Sequence, residues 1–141
     1  MTNLLLALLV AMFPPQTAPA GLAGTWVADL NGTTFVRLEL RTENGRLIGA
    51  LGTGDIHLDK NGVVDEAKSV PATLTPLFNI VIGGGVVSFT RVEGDDSERF
   101  RVRITGDRTA ELTFLPSDED LEELKAEGIP APKPIPLRKV R

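Results

Sequence analysis

Residues 98–105 read ERFRVRIT, and residues 34–41 read TFVRLELR. In the first stretch Phe100, Val102 and Ile104 share one side, and Arg99, Arg101 and Arg103 share the other. In the second, Val36, Leu38 and Leu40 oppose Phe35, Arg37, Glu39 and Arg41. A period of two is the pattern of a strand with one buried face and one wet face. A helical period would mix the two sets. Residues 109–115, TAELTFL, repeat the alternation with Ala110, Leu112 and Phe114 on one side.

Turn chemistry separates these runs. Asn-Gly occurs at 31–32, 44–45 and 61–62, and further turns are marked by Gly83-Gly84-Gly85, Gly94-Asp95 and Gly106-Asp107. Asn-Gly is the strongest short hairpin signal, because a type I′ turn needs positive φ at both central residues. Links this short join antiparallel neighbours. The predicted strands are 24–30, 34–41, 46–52, 55–59, 63–70, 77–82, 86–92, 98–105, 109–115 and 134–140. Strands at such spacing build a sandwich or a barrel, and up-and-down connectivity favours the barrel. The fold class is therefore all-β, an antiparallel up-and-down barrel.

One segment departs from the rhythm. Residues 117–128 read SDEDLEELKAEG. Ser117 or Asp118 caps a helix, acidic residues fill its first turn, Lys125 lies late and Gly128 ends it. Leu121 and Leu124 are its only large apolar residues, so the helix lies outside the barrel or across one mouth. IPAPKPIP, at 129–136, is a proline-rich connector to the last strand.

The first twenty residues follow another logic. Residues 4–13 read LLLALLVAMF, then come Pro14 and Pro15, then Ala18-Pro19-Ala20. A bilayer span needs about 20 apolar residues, more than this run supplies. A short apolar core, a breaker and a small-residue site are the layout of a secretory signal peptide. Residues 1–20 are read as that leader, with cleavage after Ala20, and residues 21–141 as one domain. The expected location is secreted or periplasmic, with no membrane span in the mature chain.

Composition narrows the function. The 141-residue chain has a formal net charge of −4, and its isoelectric point is near 5.0. A nucleic-acid partner would favour a basic stripe, so none is expected. The absence of cysteine excludes disulfides, thiolate catalysis and cysteine-ligated zinc. One Trp, no Tyr and few Phe leave little for stacking platforms.

Few residues suggest chemistry. Asp55, His57 and Asp59 stand at alternate positions of GDIHLD, and on a strand they would share one face. A histidine between two carboxylates suits a metal or a general base, but a polar face beside a hairpin explains it as well. Asp59-Lys60-Asn61-Gly62 with Asp65 and Glu66 lacks the ligand order of a calcium loop. Gly83-Gly84-Gly85 leads into a strand, not a helix, and so reads as a turn rather than a phosphate cradle. The row of Arg99, Arg101 and Arg103 suits cross-strand pairing with acidic neighbours such as Glu93 and Glu111. No serine sits in a G-x-S-x-G setting. No catalytic residue, metal or cofactor is assigned.

Gly24-Thr25-Trp26 opens the first strand, a long meander follows, and a single helix precedes a last strand bearing Arg138 and Arg141. This layout resembles the calycin group, the lipocalins and the small lipocalin-like domains of exported bacterial proteins. The resemblance implies that Trp26 plugs the closed end of the barrel and that Arg138, or else Arg141, covers its indole. A cation over an aromatic face contributes about 0.5–2 kcal/mol. It also implies a non-catalytic domain holding a small apolar ligand inside the barrel. The alternative is a structural or protein-interaction domain with a filled core. An apolar-walled cavity of about 300 Å³ or more separates the two.

Overall fold

A computed structural model describes residues 21–140. The leader reading at 1–20 and the alternative cover Arg141 lie outside the described residues. Asn31 and Gly32 have φ of 51° and 82°, and Asn44 and Gly45 have 52° and 75°. These are the paired positive values that a type I′ turn requires. They join β1 (Gly24–Leu30) to β2 (Thr33–Glu43), and β2 to β3 (Arg46–Thr53). The chain continues through β4 (Ile56–Leu58), β5 (Val64–Ala67), β6 (Thr75–Gly83), β7 (Val86–Glu93), β8 (Asp96–Ile104) and β9 (Thr109–Leu115). Helix α1 (Asp118–Ala126) precedes β10 (Ile135–Val140).

Eight of these strands close an antiparallel barrel in the order β1-β10-β9-β8-β7-β6-β3-β2. Closure leaves no long open edge, which suits a chain without disulfides. The core is the inward phase of the alternating runs: Leu38, Leu51, Val87, Val102 and Leu112 are buried together with Trp26. Phe35 departs from its phase. Val36 pairs with Ala28 and Thr34 with Asp29, so Phe35 is the extra residue of a bulge. A bulge re-aims a side chain, and Phe35 is buried in the core instead of facing out beside Arg37.

Of the ten predicted strands, eight form the wall and β4 and β5 stand outside it. These two pair only with each other, in a separate two-stranded sheet, and β6 follows β3 in the wall. The third Asn-Gly explains part of this. Gly62 has φ of 80°, but Asn61 is not among the positive-φ residues, so no two-residue hairpin forms there. The loop is wider, with the Asp59 carboxylate accepting from the backbone N–H of Asn61 and Val63. Just beyond β5, Lys68 N–H donates to Asp55 O, closing the excursion on itself, and Val70 N–H donates to Thr34 O of β2, tying it to the barrel.

Helix α1 has the ends its sequence promises. Ser117 Oγ accepts from Asp120 N–H at 3.1 Å. At the other end Gly128 has φ of 70°. Gly128 N–H donates to Lys125 O and Ile129 N–H to Leu124 O. These are the two bonds of a Schellman cap.

The two barrel ends differ for a topological reason. The long connections, 54–74 and 116–134, both leave from the end where β1 finishes and β2 begins. At the opposite end the strands are joined by short links at 44–45, 84–85 and 105–108. Trp26, near the start of β1 at that tight end, has 0% exposure. Its cover is not Arg138. Lys139 Nζ lies 5.5 Å from the Trp26 ring centre. Arg138 instead donates twice to Asp29 Oδ2, from Nε at 2.9 Å and Nη2 at 2.7 Å. The reason is phase: Trp26 pairs with Lys139 and Val27 with Arg138, which puts Arg138 on the outer face.

Candidate functional site

The open end holds a cavity of about 550 Å³. Phe35 and Val36 reach it from β2, Phe100 from β8, and Leu112 and Phe114 from β9. Phe100 stacks on Phe89 at 5.8 Å and meets Phe114 edge-on at 5.5 Å, an arrangement favoured by the ring quadrupoles. The outer rim is built from the long connections. Leu58 and Val64 come from the β4–β5 hairpin, Leu124 from α1, and Pro132 and Lys133 from the proline-rich connector. Lys133 N–H donates to Gly62 O at 3.1 Å, tying the connector to the hairpin. The helix therefore lies at the mouth.

One charged side chain is set into this wall. Arg91, on β7, is 3% exposed. Its Nη1 donates to Thr53 Oγ1 at 2.8 Å and its Nη2 to Glu98 Oε1 at 2.8 Å. Its Nε lies 3.7 Å from Glu93 Oε1, within ion-pair range, and makes no hydrogen bond among the described residues. The guanidinium carbon sits 5.2 Å from the Phe100 ring centre. Burying a cation is costly unless it is paired and hydrogen-bonded; Glu98, Glu93, Thr53 and Phe100 offset part of that cost and leave Nε without a hydrogen bond among the described residues. Around the cavity stand five carboxylates, Asp55, Glu93, Glu98, Asp120 and Glu123, against two cations, Arg91 and Lys133.

Composition and turn signals did not point to Arg91; the phase of its strand is the signal that could have found it. VVSFTRV places Val87, Phe89 and Arg91 on one side of β7, and Glu98 shares the phase of Phe100 and Val102 on β8. Arg91 and Glu98 are direct register partners. Opposite charges in register on two inward faces were thus visible once the strands were aligned.

Asp55, His57 and Asp59 do not form one site: Asp55 and His57 border the same groove, and Asp59 is not among its lining residues. The register shifts between His57 and Leu58, and β4 ends at Leu58, so the alternation stops before Asp59. Asp59 caps its own turn, and those two backbone N–H bonds hold its carboxyl below the usual carboxylate range. His57 turns to the neighbouring strand, with Nδ1 2.6 Å from Asp65 Oδ1. That hydrogen bond, and then the Asp65 charge, raise the imidazole above its ordinary value. The pair borders a groove of about 440 Å³ outside the barrel, shared with Leu30, Thr33 and Lys68. Among the described residues no three metal-ligating side chains gather. Of the basic row, Arg103 pairs with Glu111 at 3.1 Å, whereas Glu93 serves Arg91.

No protein-family model, no curated protein and no solved structure matches this chain.

Proposed function

We propose that this chain is an exported, lipocalin-like, non-catalytic domain that binds a small apolar ligand in the mouth of its barrel. The observation that carries the reading is the cavity of about 550 Å³ walled by Phe35, Phe100, Leu112 and Phe114. Ligand sites are concave, mostly apolar and larger than about 300 Å³, with a few placed polar groups. Helix α1 and the connector, the segment an interaction domain would offer to a partner, line this cavity instead. The lipocalin-like part is supported by the closed up-and-down wall and by Gly24-Thr25-Trp26 at its tight end. Export is supported by the apolar run, the proline pair and the Ala18-Pro19-Ala20 pattern.

The test is titration with N-phenyl-1-naphthylamine, a neutral dye that brightens in apolar surroundings. Saturable binding of one dye per chain is expected. Val64→Trp, which fills the cavity from the hairpin side, should weaken it about tenfold while leaving the far-UV circular dichroism unchanged. Absence of saturable binding to the folded protein overturns the reading. Export has its own test: mass spectrometry of protein recovered outside the cytoplasm should begin at Gly21, and an intact N-terminus would refute cleavage after Ala20.

A further inference from the structure

Resting on that binding reading, we infer that the ligand's polar end is a neutral hydrogen-bond acceptor, a hydroxyl or carbonyl oxygen, held by Arg91 and Thr53. A guanidinium has five N–H donors. Among the described residues Arg91 uses one on Thr53 and one on Glu98. Buried donors are as a rule satisfied, yet this side chain lines a cavity with most of its donors unused. Thr53 adds another. Its Oγ1 accepts from Arg91, so its own proton is free to point elsewhere, and Thr53 also borders the cavity. Both groups offer hydrogens, and the occupant that suits them accepts.

Charge selects the kind of acceptor. Arg91 already has Glu98 at 2.8 Å and Glu93 at 3.7 Å. A carboxylate or phosphate entering here would meet five carboxylates and only two cations. Like charges in a desolvated site disfavour ionisation, so an anionic head is rejected or forced to protonate. An ammonium head would leave the donors unused and place a like charge beside the guanidinium. A neutral oxygen satisfies the donors without either cost. Its apolar body then lies against Phe35, Phe100 and Phe114.

The experiment is displacement of N-phenyl-1-naphthylamine from the full chain by decanol, methyl decanoate, decanoate and decylamine at about pH 7.5, where the acid and the amine are charged. Decanol and methyl decanoate should compete about tenfold better than decanoate or decylamine. Arg91→Met and Thr53→Val should each remove most of that advantage, with every competitor's displacement referred to the same variant's own dye affinity. Thr53→Val serves if Arg91→Met fails to fold. Equal or tighter displacement by decanoate or decylamine overturns the inference, as does a decanol advantage that survives both variants. In those cases dye binding persists and the cavity reading stands. Loss of all dye binding in the unmutated protein removes both.

Discussion

Lys139 Nζ lies 5.5 Å from the Trp26 ring centre, and the two residues are register partners across β10 and β1. That relationship accounts for both fixed positions of Gly24-Thr25-Trp26. Gly24 precedes Trp26 by two residues and so faces the same way. Its φ of +139° is one that side chains rarely adopt, and a Cβ there would stand 2.6 Å from Lys139 Cε. The lysine stem crosses the bare glycine, passes the indole, and its Nζ donates to Gly21 O at 2.8 Å. The indole N–H in turn donates to Leu22 O at 2.9 Å.

Trp26→Ala should therefore lower stability by about 3–5 kcal/mol, the range for an aromatic lost from a core. Lys139→Met keeps most of the stem and loses the charge over the indole and the hydrogen bond to Gly21 O, at about 1–2 kcal/mol. Urea unfolding followed by circular dichroism measures both. Trp26 is the sole tryptophan, so its emission reports on this end alone. Lys139→Met should change that emission and Arg138→Met should not. A Trp26→Ala loss below about 1 kcal/mol would refute the plug.

Arg91 and Glu98 should behave as one unit. Glu98→Leu leaves a buried cation with Glu93 3.7 Å away as its remaining counterion, and the expected cost is about 3 kcal/mol. Replacing both, Arg91→Met with Glu98→Leu, should recover most of it, because a buried ion pair exchanged for apolar groups is often neutral. The measurement is a double-mutant cycle in urea. Additivity within about 0.5 kcal/mol would mean that the two side chains are not coupled.

How much of this was legible follows the range of the interactions. The wall was readable because period-two runs and Asn-Gly turns are local, and β2, β8 and β9 fall where those runs lie. The bulge at Phe35 was not, because it exists only in the pairing of β2 with β1. The β4–β5 excursion was missed for the same reason: GDIHLD reads as a strand whether or not the barrel accepts it. The choice of Lys139 over Arg138 at Trp26 is a matter of one residue of register, and a one-residue shift moves a side chain to the other face. The open-mouth cavity was a matter of volume, which no pattern in one strand encodes.

The Asp29–Arg138 pair should show itself in acid. The hydrogen bond from Thr34, and then that from Arg138, hold the Asp29 carboxyl below its usual range. A carboxyl lowered on folding stabilises the folded form above its unfolded pKa of about 3.9, and that contribution fades as pH falls through the lower folded value. Asp29→Asn should thus lower the urea midpoint at neutral pH by a small amount, since the pair is exposed. The two proteins should converge near pH 2, roughly the foot of the carboxylate range. A gap that is constant with pH would assign the effect to packing.

His57 gives the opposite sign. It is the only histidine, so one resonance follows its titration without assignment. The Asp65 hydrogen bond and charge raise it above the ordinary 6.5. A base raised on folding contributes fully below its unfolded value, and the contribution disappears as pH climbs through the folded one. The β4–β5 hairpin should therefore loosen slightly in the window that opens at about 6.5 and closes at the folded midpoint. Nuclear magnetic resonance of the imidazole C–H in the unmutated protein should give a midpoint above 6.5. Asp65→Asn should return it toward that value. Asp59→Asn should move it little, because the Asp59 charge is the last of the causes acting on the ring. An Asp65→Asn midpoint identical to the unmutated one would show that the 2.6 Å contact does not set the proton affinity of His57.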